Sequence, residues 1–477
     1  MTFIGRSYPR RASSHKRKLR RSRKSHSFAS PSATLFRLQR TGFVGIELGH
    51  QIPLNVGAQQ RHDVAVSSAA PISSSTRLRL RVTATAESCV RQGHPWVYSD
   101  SVRERSRDGV VGDLAVIYDR NDRFLAIGLF DPLSPIRVRI LHTGKPLSID
   151  AAFWKVKIDQ AKERRAAMFD VSTTGYRWIH GESDGLPALV LDRYDGTLVL
   201  KVYSAAWLPH LPQLIPQVIQ AFGPERLVLR TSRNIREQAD PAGFTDGRVL
   251  YGPKVDGPVV FLESGIRFEA DVLKGQKTGF FLDQRENRRW VGSAAAGAHV
   301  LNAFSFSGGF SLYAARGGAT SVTDLDISAH ALESARRNFQ LNQDLPTVRA
   351  AQYEGVQTDA FEWLAERRTP RFDLVILDPP SLAKRESERS GAIQAYRRLV
   401  RSGSQQLKSG GTLVAASCSA HVSAEEFYQA ALQGVADLRR PATEVRRAEH
   451  PDDHPAGFVE ARYLKCLVLR LGPAVAE

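Results

Sequence analysis

A cysteine and an aspartate stand out because each comes directly after an apolar run of the kind that forms a buried strand. Cys418 follows GGTLVAAS, and Asp378 follows FDLVIL and precedes two prolines, Pro379 and Pro380. Because proline restricts its own backbone and that of the preceding residue, the Asp378 carboxylate is fixed at the end of its strand. Ligands of open parallel sheets bind at that edge. A thiolate there could act as a nucleophile beside a carboxylate that binds the substrate.

The position of Cys418 distinguishes it from the other two cysteines of the chain, Cys89 and Cys466. Buried cysteines usually behave as small apolar residues, and we interpret Cys89 and Cys466 in that way. Cys418 is flanked by serines and precedes a helix expected to begin near Ser423, where a helix N-terminus would lower the pKa of the thiol. A structural role for Cys418 and a strand-terminating role for Asp378 are the alternatives.

A glycine-containing turn lies upstream, within VLNAFSFSGGFSLYAARGG at residues 300–318. The succession of apolar run, small polar residues and small-residue helix predicts strand, tight turn and helix. Glycine lets the backbone approach a ligand, but the spacing is not the G-x-G-x-x-G of pyrophosphate sites. An adenosine cofactor without phosphates fits better, and S-adenosylmethionine is the common one; a purely structural turn is the alternative. The candidate cofactor contacts in this turn are Asn302, Phe304, Ser305, Ser307, Gly308 and Gly309.

Two acidic residues follow the turn at the ends of further predicted strands. Asp326 closes SVTDLD, about 20 residues after the turn, where a carboxylate of a doubly wound sheet accepts hydrogen bonds from the ribose hydroxyls. Asp359, in VQTDAFEWL, could accept a hydrogen bond from the adenine amino group or could cap the next helix. Both interpretations of Asp359 are open from the sequence.

The segment QKTGFFLDQR at 276–285 brings polar side chains just ahead of the cofactor strand. Asp283 lies near the first turn of a predicted helix, a place that the helix dipole favours for acids. Gln284 and Arg285 are candidate cofactor residues, because the planar guanidinium of Arg285 suits a carboxylate such as the methionine end of S-adenosylmethionine. A lid hairpin with solvated charges, including Lys277, is the alternative.

These residues need a scaffold of alternating strands and helices, which the pattern from residue 263 to 477 supplies. The helix after the second strand is expected to begin at Ser328 and to place Leu332, Ala335 and Phe339 on one face. The predicted fold class for this part is therefore α/β and Rossmann-like.

Two smaller parts precede this domain. Between residues 76 and 149, short strand patterns with Gly and Asp turns predict a small β-barrel. Residues 150–262 predict an α+β middle domain, whose function the residues do not indicate. We interpret its carboxylates Glu182, Asp184 and Asp192 as turn residues that bond their own backbone.

Residues 1–75 carry 13 lysines and arginines but only two acidic residues, Glu47 and Asp63, so they hold most of the net charge of +17. This basic segment has no sustained periodicity to build a core, and we expect disorder. A start codon assigned too early, or a dispensable extension, is the preferred interpretation. A transit peptide and a flexible nucleic-acid arm are the alternatives.

Composition excludes several classes of protein. No run reaches the ~18 consecutive apolar residues of a membrane span. The three cysteines are widely spaced and form no Cys/His cluster, which indicates neither a disulfide framework nor a metal site. The sequence therefore predicts a soluble, cytoplasmic protein with no membrane partner and no bound metal.

Residues 76–477 resemble the PUA-containing class I methyltransferases that modify carbon 5 of cytosine in large-subunit ribosomal RNA. The matching segments are GHPWV, GESDGLPALVLDRY, QKTGFFLDQRENR, VLNAFSFSGGFSLYAA, LDIS, DLVILDPPSLAK and SCSAHVS. The resemblance implies a PUA-like RNA-binding barrel at 76–149, with His94, Pro95 and Trp96 on its characteristic turn. It also implies a methyltransferase domain at 263–477 that uses S-adenosylmethionine.

The same resemblance implies roles for single residues. The loop at 302–309 would hold the methionine part of the cofactor, Asp326 the ribose and Asp359 the adenine side. Asp378 would hold the target base, and Cys418 would be the nucleophile. The further substrate contacts would be Pro379, Pro380, His94 and Trp96.

The predicted function is S-adenosylmethionine-dependent methylation of RNA of the 23S ribosomal type, at carbon 5 of a cytosine. That carbon is too weak a nucleophile to take a methyl group directly, and a thiolate that adds at carbon 6 activates it. The target base must be unpaired or flipped into the pocket. Methylation of an exocyclic amine such as guanine N2, and a non-catalytic RNA-binding assembly factor, are the alternatives. A homodimer is a further expectation.

Overall fold

The computed structural model describes residues 77–473, apart from 367, 368 and 370. The basic segment 1–75, for which we expect disorder, lies outside the described residues. None of the helices within 77–473 is long and apolar enough to cross a membrane. The described strands form sheets of six, five, two and seven strands, in chain order.

The first sheet has one helix beside its strands. Its elements are β1 (Leu78–Val82), α1 (Ala84–Arg91), β2 (Trp96–Tyr98), β3 (Val102–Arg105), β4 (Leu114–Tyr118), β5 (Phe124–Phe130) and β6 (Ile136–Thr143). The strand order is β2-β6-β5-β4-β1-β3, and only the β1–β4 pair is parallel. Leu78, Ile117 and Phe130 lie fully buried in its core. The short strands predicted for this part are confirmed.

The second sheet belongs to a mixed unit of helices and strands. Its elements are α2 (Ala151–Arg165), β7 (Gly175–His180), β8 (Leu189–Tyr194), β9 (Thr197–Val202), α3 (Leu211–Phe222), β10 (Arg226–Thr231), α4 (Arg236–Ala239) and β11 (Val249–Tyr251). The strand order is β11-β10-β9-β8-β7. Asp150 caps α2 by accepting a hydrogen bond from the Phe153 backbone at 3.0 Å. The α+β pattern predicted here is confirmed.

The carboxylates of this unit form ion pairs. Asp192 lies within β8 and binds Arg177 of the neighbouring strand through hydrogen bonds of 2.7 and 2.9 Å. Asp184 pairs with Arg165 at 2.8 Å, and Glu182 pairs with an arginine of β6 at 2.9 Å. The turn interpretation is therefore wrong for Asp192 and Glu182, because their partners lie on other strands and no local sequence pattern indicates them.

A two-stranded hairpin follows, made of β12 (Val259–Glu263) and β13 (Ile266–Ala270). Glu263 at the end of β12 is fully buried and binds Arg288 through bonds of 2.8 and 2.6 Å. The boundary expected at residue 262 falls inside β12. The division of the chain into parts at residues 75, 149 and 262 stays a prediction.

The last sheet has seven strands with helices on its faces. Its elements are α5 (Arg285–Ala294), β14 (His299–Ala303), α6 (Gly309–Arg316), β15 (Ser321–Asp326), α7 (Ala329–Leu341), α8 (Pro346–Ala350), β16 (Gln352–Gln357), α9 (Ala360–Ala365), β17 (Phe372–Leu377), α10 (Arg389–Gln405), β18 (Leu407–Ser417), α11 (Ala424–Ala436), β19 (Ala442–Ala448) and β20 (Lys465–Leu471). The order is β16-β15-β14-β17-β18-β20-β19, in which β20 is antiparallel to both neighbours. The strand order reverses between β14 and β17, which is where such sheets bind ligands. The predicted Rossmann-like α/β fold is confirmed.

Side-chain caps start two of these helices where the sequence predicts. The Ser328 hydroxyl accepts a hydrogen bond from the Ala331 backbone at 3.2 Å, and Leu332, Ala335 and Phe339 of α7 are buried. Ser423 and Glu426 cap α11 reciprocally, an arrangement that satisfies two backbone N–H groups. Both helices therefore begin at local sequence signals.

Candidate active site

The turn between β14 and α6 has a strained backbone. Phe304 and Phe306 have positive φ values of 63° and 49°, and Gly308 has a φ of 72°. A Cβ on Gly308 would lie 2.9 Å from the Cβ of Ala335 and 3.2 Å from Oδ2 of Asp324, so a side chain is excluded there. A non-glycine residue in the left-handed region costs about 1–3 kcal/mol, and such strain collects at ligand sites.

A buried carboxyl lies under this turn. Asp324 accepts hydrogen bonds from the Ser311 hydroxyl, from the Asn302 side chain at 3.2 Å and from the Tyr353 hydroxyl at 3.0 Å. Burial raises the pKa of Asp324 to about 7, and these three donors oppose that shift. The cluster ties β14, α6, β15 and β16 together behind the turn.

Asp326 closes β15 beside the same turn. Its Oδ2 accepts a hydrogen bond from the backbone of Phe306 at 2.9 Å, and its Oδ1 accepts one from the backbone of Ser328 at 2.9 Å. A carboxylate oxygen has about two acceptor positions. Each oxygen of the half-buried Asp326 therefore retains one for a further donor.

Asp359 caps α9. Its Oδ1 accepts hydrogen bonds from the backbone of Phe361 at 2.7 Å and of Glu362 at 3.4 Å. The ring of Phe361 lies 5.2 Å from that of Phe304 in the strained turn. The capping interpretation is confirmed, and the adenine role of Asp359 stays a prediction.

Arg285 and Gln284 both bind acidic side chains of the protein. The guanidinium of Arg285 is buried and binds Asp453 at 2.7 and 3.2 Å and Glu286 at 3.2 Å. Gln284 donates from Nε2 to Oδ1 of Asp378 at 2.9 Å. These bonds favour a structural role for Arg285 and place the Gln284 amide beside Asp378, and the cofactor roles of both residues stay predictions.

Asp378 and Cys418 come together at one edge of the sheet. β17 and β18 are parallel neighbours, with Leu377 paired to Ala415 near their ends. Asp378 follows Leu377, and Cys418 follows the end of β18. Of the two prolines after Asp378, the first is buried and the second is exposed. The edge also adjoins β14, whose end begins the strained turn.

The loop that carries the cysteine is clamped on both sides. The Ser419 hydroxyl accepts a hydrogen bond from the Leu382 backbone at 3.0 Å and lies 2.8 Å from the Tyr396 hydroxyl. From the other side, Nζ of Lys465 donates to the carbonyls of Ser419 and Val422 at 2.6 and 2.7 Å. These bonds hold the loop after β18 against the loop after β17.

Electrostatics couple the thiol and the carboxyl. Burial, then the charge of Asp378, raises the pKa of Cys418 to about 11, while Lys277 opposes the shift. Burial, then the charge of Asp283, raises the pKa of Asp378 to about 7. The expected lowering of the thiol pKa by a helix N-terminus is wrong, because burial outweighs it and α11 begins only at Ala424.

Three polar residues beside the thiol form a cluster that the sequence did not predict. Nζ of Lys277 donates to Oδ2 of Asp283 at 2.7 Å, and the hydroxyl of Tyr463 donates to the same oxygen at 2.8 Å. The side chain of Asp283 is only 4% exposed, so the interpretation of this segment as a lid with solvated charges is wrong. Tyr463 follows a stretch without periodicity, and no pattern marked it.

Comparison with known proteins places this geometry in a family. Residues 250–470 match the model of the S-adenosylmethionine-dependent methyltransferases, and residues 80–143 match the PUA-like domain. A ribosomal RNA large subunit methyltransferase of Deinococcus radiodurans is 56% identical over 410 residues, which cover 84% of this chain and 99% of that protein. The ribosomal RNA large subunit methyltransferase I of Shewanella amazonensis is 34% identical, over 83% of this chain and 99% of that protein.

The chain belongs to this methyltransferase family. Solved structures agree on the fold: one described as a methyltransferase complexed with SAH matches with a TM-score of 0.71 at 23% identity, over 82% of this chain and 99% of that one. The protein is thus a PUA-like domain followed by a Rossmann-like methyltransferase domain, and its cofactor is S-adenosylmethionine.

The residues of the strained turn fit this cofactor. Within the described chain, Asn302 Oδ1, Ser305 Oγ and Ser307 Oγ are buried and have no hydrogen-bond partner. Buried polar atoms nearly always have partners, so three in one turn fit a polar group such as the methionine end of the cofactor. Asp326 has acceptor positions for a ribose, and Phe361, which is 37% exposed, offers an apolar face for an adenine.

The characteristic turn of the PUA-like domain faces into this methyltransferase. Nε1 of Trp96 donates to Glu182 at 2.8 Å, and its ring lies 5.0 Å from that of Phe458. Nε2 of His94 lies 3.4 Å from Glu460. These polar atoms are used in packing between the parts of the chain, and the substrate role of His94 and Trp96 stays a prediction.

Proposed function

We propose that this protein methylates carbon 5 of a cytosine in large-subunit ribosomal RNA through a transient bond to Cys418. The proposal rests chiefly on one observation, that a thiol and a carboxyl meet at the sheet edge beside the cofactor turn. The names of the relatives from Deinococcus radiodurans and Shewanella amazonensis support ribosomal RNA as the substrate class. When bound, S-adenosylmethionine supplies the methyl group.

The cofactor contacts in this proposal come from the turn and from the two strand ends beside it. The polar atoms of residues 302–307 would bind the methionine end, and Asp326 would accept hydrogen bonds from the ribose hydroxyls. Asp359 would contribute the carboxylate oxygen that does not cap α9, next to the exposed ring of Phe361. These residues would hold the cofactor at the sheet edge where Asp378 lies.

The thiol of Cys418 needs a proton acceptor before it can attack. Its pKa of about 11 keeps it protonated near neutral pH. The neighbouring Asp378, with a pKa of about 7, is ionised above that pH and can take the proton. One pKa unit corresponds to 1.36 kcal/mol, so moving the proton from sulfur to carboxylate costs about 5 kcal/mol. Once it has taken this proton, Asp378 can donate a hydrogen bond to N3 of the target base, and the base therefore binds best to the protonated carboxyl.

The chemical steps balance around these two groups. The Cys418 sulfur bonds to carbon 6, N3 of the base takes the proton from Asp378, and the electron pair of the 5,6 double bond forms a 4,5 double bond, which makes carbon 5 nucleophilic. Carbon 5 then takes the methyl group, and its own proton passes to solvent water while the electron pair of that carbon–hydrogen bond re-forms the 5,6 double bond. The sulfur leaves with the electron pair of the sulfur–carbon 6 bond, and the N3 proton returns through Asp378 to the thiolate. Gln284 holds the carboxyl in position throughout.

Two other functions predict different outcomes. An exocyclic amine carries its own lone pair, so methylation of guanine N2 needs no thiol and would survive Cys418→Ala. An RNA-binding assembly factor would produce no methylated nucleoside at all. The decisive experiment compares the modified nucleosides of ribosomal RNA, mapped by mass spectrometry, in cells with the wild-type protein, with Cys418→Ala and without the protein. The proposal requires a 5-methylcytidine that is present only with the wild type, and an unchanged pattern in all three would refute it.

The substrate base has to leave its stack to reach this edge, as enzymes that modify bases require. The chain contributes three free cysteines, which suit a reducing compartment. A cytoplasmic location is therefore part of the proposal, and cell fractionation can test it. A homodimer is a separate expectation that a mass measurement in solution can test.

A further inference from the structure

Lys277 lies in the segment between β13 and α5, whose Gln284 binds Asp378 at 2.9 Å at the edge that also holds Cys418, and the charge of Lys277 acts on the thiol. Its ammonium donates to Asp283 at 2.7 Å and lies 4.5 Å from the ring centre of Phe281 and 5.7 Å from that of Tyr463. Aromatic faces attract cations, so the two rings and the carboxylate together fix the charge in place. The side chain is 33% exposed, which is low for a lysine.

The backbone at this lysine is strained. Lys277 has a φ of 53°, in the left-handed region that side chains other than glycine rarely adopt. Such a conformation costs about 1–3 kcal/mol and persists where the surrounding structure enforces it, often at a functional site.

Several charged or titratable groups surround the thiol, and they come from four parts of the fold. They are Lys277 and Asp283 before α5, Asp378 after β17, Tyr396 of α10 and Lys465 of β20. Lys277 in turn is close to Asp283, Arg177 and the thiol itself. Among these groups the two lysines are the cations that favour an ionised thiol.

The two lysines differ in the pH range over which they stay charged. Burial lowers the pKa of Lys465 to about 8, and its ammonium is committed to two backbone carbonyls. For Lys277 burial acts in the same direction and is the largest single effect, but the charge of Asp283, the hydrogen bond to Asp283 and the charge of Cys418 together outweigh it, so the net pKa is raised. Lys277 therefore keeps its charge to a higher pH than Lys465 does.

We propose that Lys277 is the positioning residue that stabilises the thiolate of Cys418, so that sulfur can attack once Asp378 has taken its proton. The inference rests on the proposed function for the identity of the reaction. The S–H bond breaks, the proton passes to the Asp378 carboxylate and the electron pair stays on sulfur. Lys277 keeps its own protons throughout.

The test measures the thiol without RNA or cofactor. The full chain is alkylated with iodoacetamide from pH 7 to 10.5, and mass spectrometry follows the peptide that contains Cys418, because only the thiolate reacts. In Lys277→Met we expect the alkylation rate at pH 9 to fall about tenfold, which is a shift of one pKa unit. Lys274→Met, which removes an exposed lysine of the same segment, should leave the rate unchanged.

Two further variants keep the test decisive if Lys277→Met does not fold. Asp283→Asn removes a negative charge near the thiol and should raise the alkylation rate above that of the wild type. The double variant Lys277→Met with Asp283→Asn leaves neither partner of the pair unpaired and buried, and its rate should lie between those of Lys277→Met and the wild type. A folded double variant with a rate equal to or above that of the wild type contradicts the proposal.

Alkylation separates this inference from the proposed reaction. If Lys277→Met slows alkylation but the RNA product is methylated on an amine, the thiolate assignment stands and the cytosine reaction fails. If 5-methylcytidine is found and the alkylation profile of Lys277→Met matches that of the wild type, the reaction stands and the role of Lys277 is wrong.

Discussion

Removal of the Gln284 amide should change the pH dependence of methyl transfer in a defined way. Gln284 donates to Asp378 at 2.9 Å and is 4% exposed. A hydrogen bond to a charged group contributes about 1.5–3 kcal/mol, and one pKa unit is 1.36 kcal/mol. Gln284→Leu should therefore raise the pKa of Asp378, which is about 7 in the wild type, to about 8 or above.

The sign of the effect follows from the role of the carboxylate. Asp378 has to be ionised to take the thiol proton, so the rate rises as the pH rises through its pKa. At pH 7 about half of the wild-type carboxyl is ionised, against about a tenth in a variant whose pKa is one unit higher. Gln284→Leu should therefore lose about fivefold in rate at pH 7 and almost nothing at pH 9.

The assay is single-turnover methyl transfer at saturating RNA and cofactor, from pH 6 to 9.5, so that product release does not contribute. Gln276→Leu, an exposed glutamine of the same segment, serves as the control and should follow the wild-type profile. A loss of the same factor at pH 7 and pH 9 would refute the reasoning, because it would mean that Gln284 acts through cofactor or base binding and not through the pKa of Asp378.

Three further changes have defined outcomes. Asp326→Ala removes the acceptor of two hydrogen bonds from the ribose, and a hydrogen bond to a charged acceptor contributes about 1.5–3 kcal/mol. Calorimetry should therefore show S-adenosylmethionine binding at least about tenfold more weakly. Unchanged affinity would show that Asp326 does not bind the cofactor. Arg288→Met leaves the fully buried Glu263 without its partner and should lower the free energy of unfolding by about 3–5 kcal/mol, seen as a lower thermal midpoint. The control Arg289→Met, at an exposed neighbouring position, should lower it by under about 1 kcal/mol. Equal shifts in the two variants would contradict the burial argument. Cys418→Ser should stop methyl transfer while the calorimetric affinity for cofactor stays the same, and full activity would end its assignment as the nucleophile.

The features that were predicted correctly from the sequence are those that short sequence patterns determine. The strand, turn and helix around Gly308, the caps at Ser328 and Ser423 and the meeting of Asp378 with Cys418 all follow from short motifs and from the geometry of parallel sheets. Each depends on neighbours in the chain or on the shared edge of one sheet.

The contacts that the sequence did not predict join residues far apart in the chain. Arg285 binds Asp453, 168 residues away. Asp283 accepts a hydrogen bond from the hydroxyl of Tyr463, 180 residues away, which rules out the alternative of a lid hairpin with solvated charges. The predicted direction of the pKa shift of Cys418 was wrong for the same reason. A helix start can be predicted from nearby residues, whereas burial, which raises this pKa, depends on the assembled fold.

The covalent step at Cys418 is the central claim and can be tested directly. An RNA substrate that carries 5-fluorocytidine at the target position has no proton on carbon 5 to lose, so the bond between sulfur and carbon 6 should persist after methyl transfer. We predict a stable RNA adduct whose mass maps to the peptide containing Cys418, formed only when S-adenosylmethionine is present and absent in Cys418→Ala. An adduct that persists in Cys418→Ala, or a wild-type enzyme that methylates cytidine but forms no adduct with the fluorinated substrate, would contradict the account.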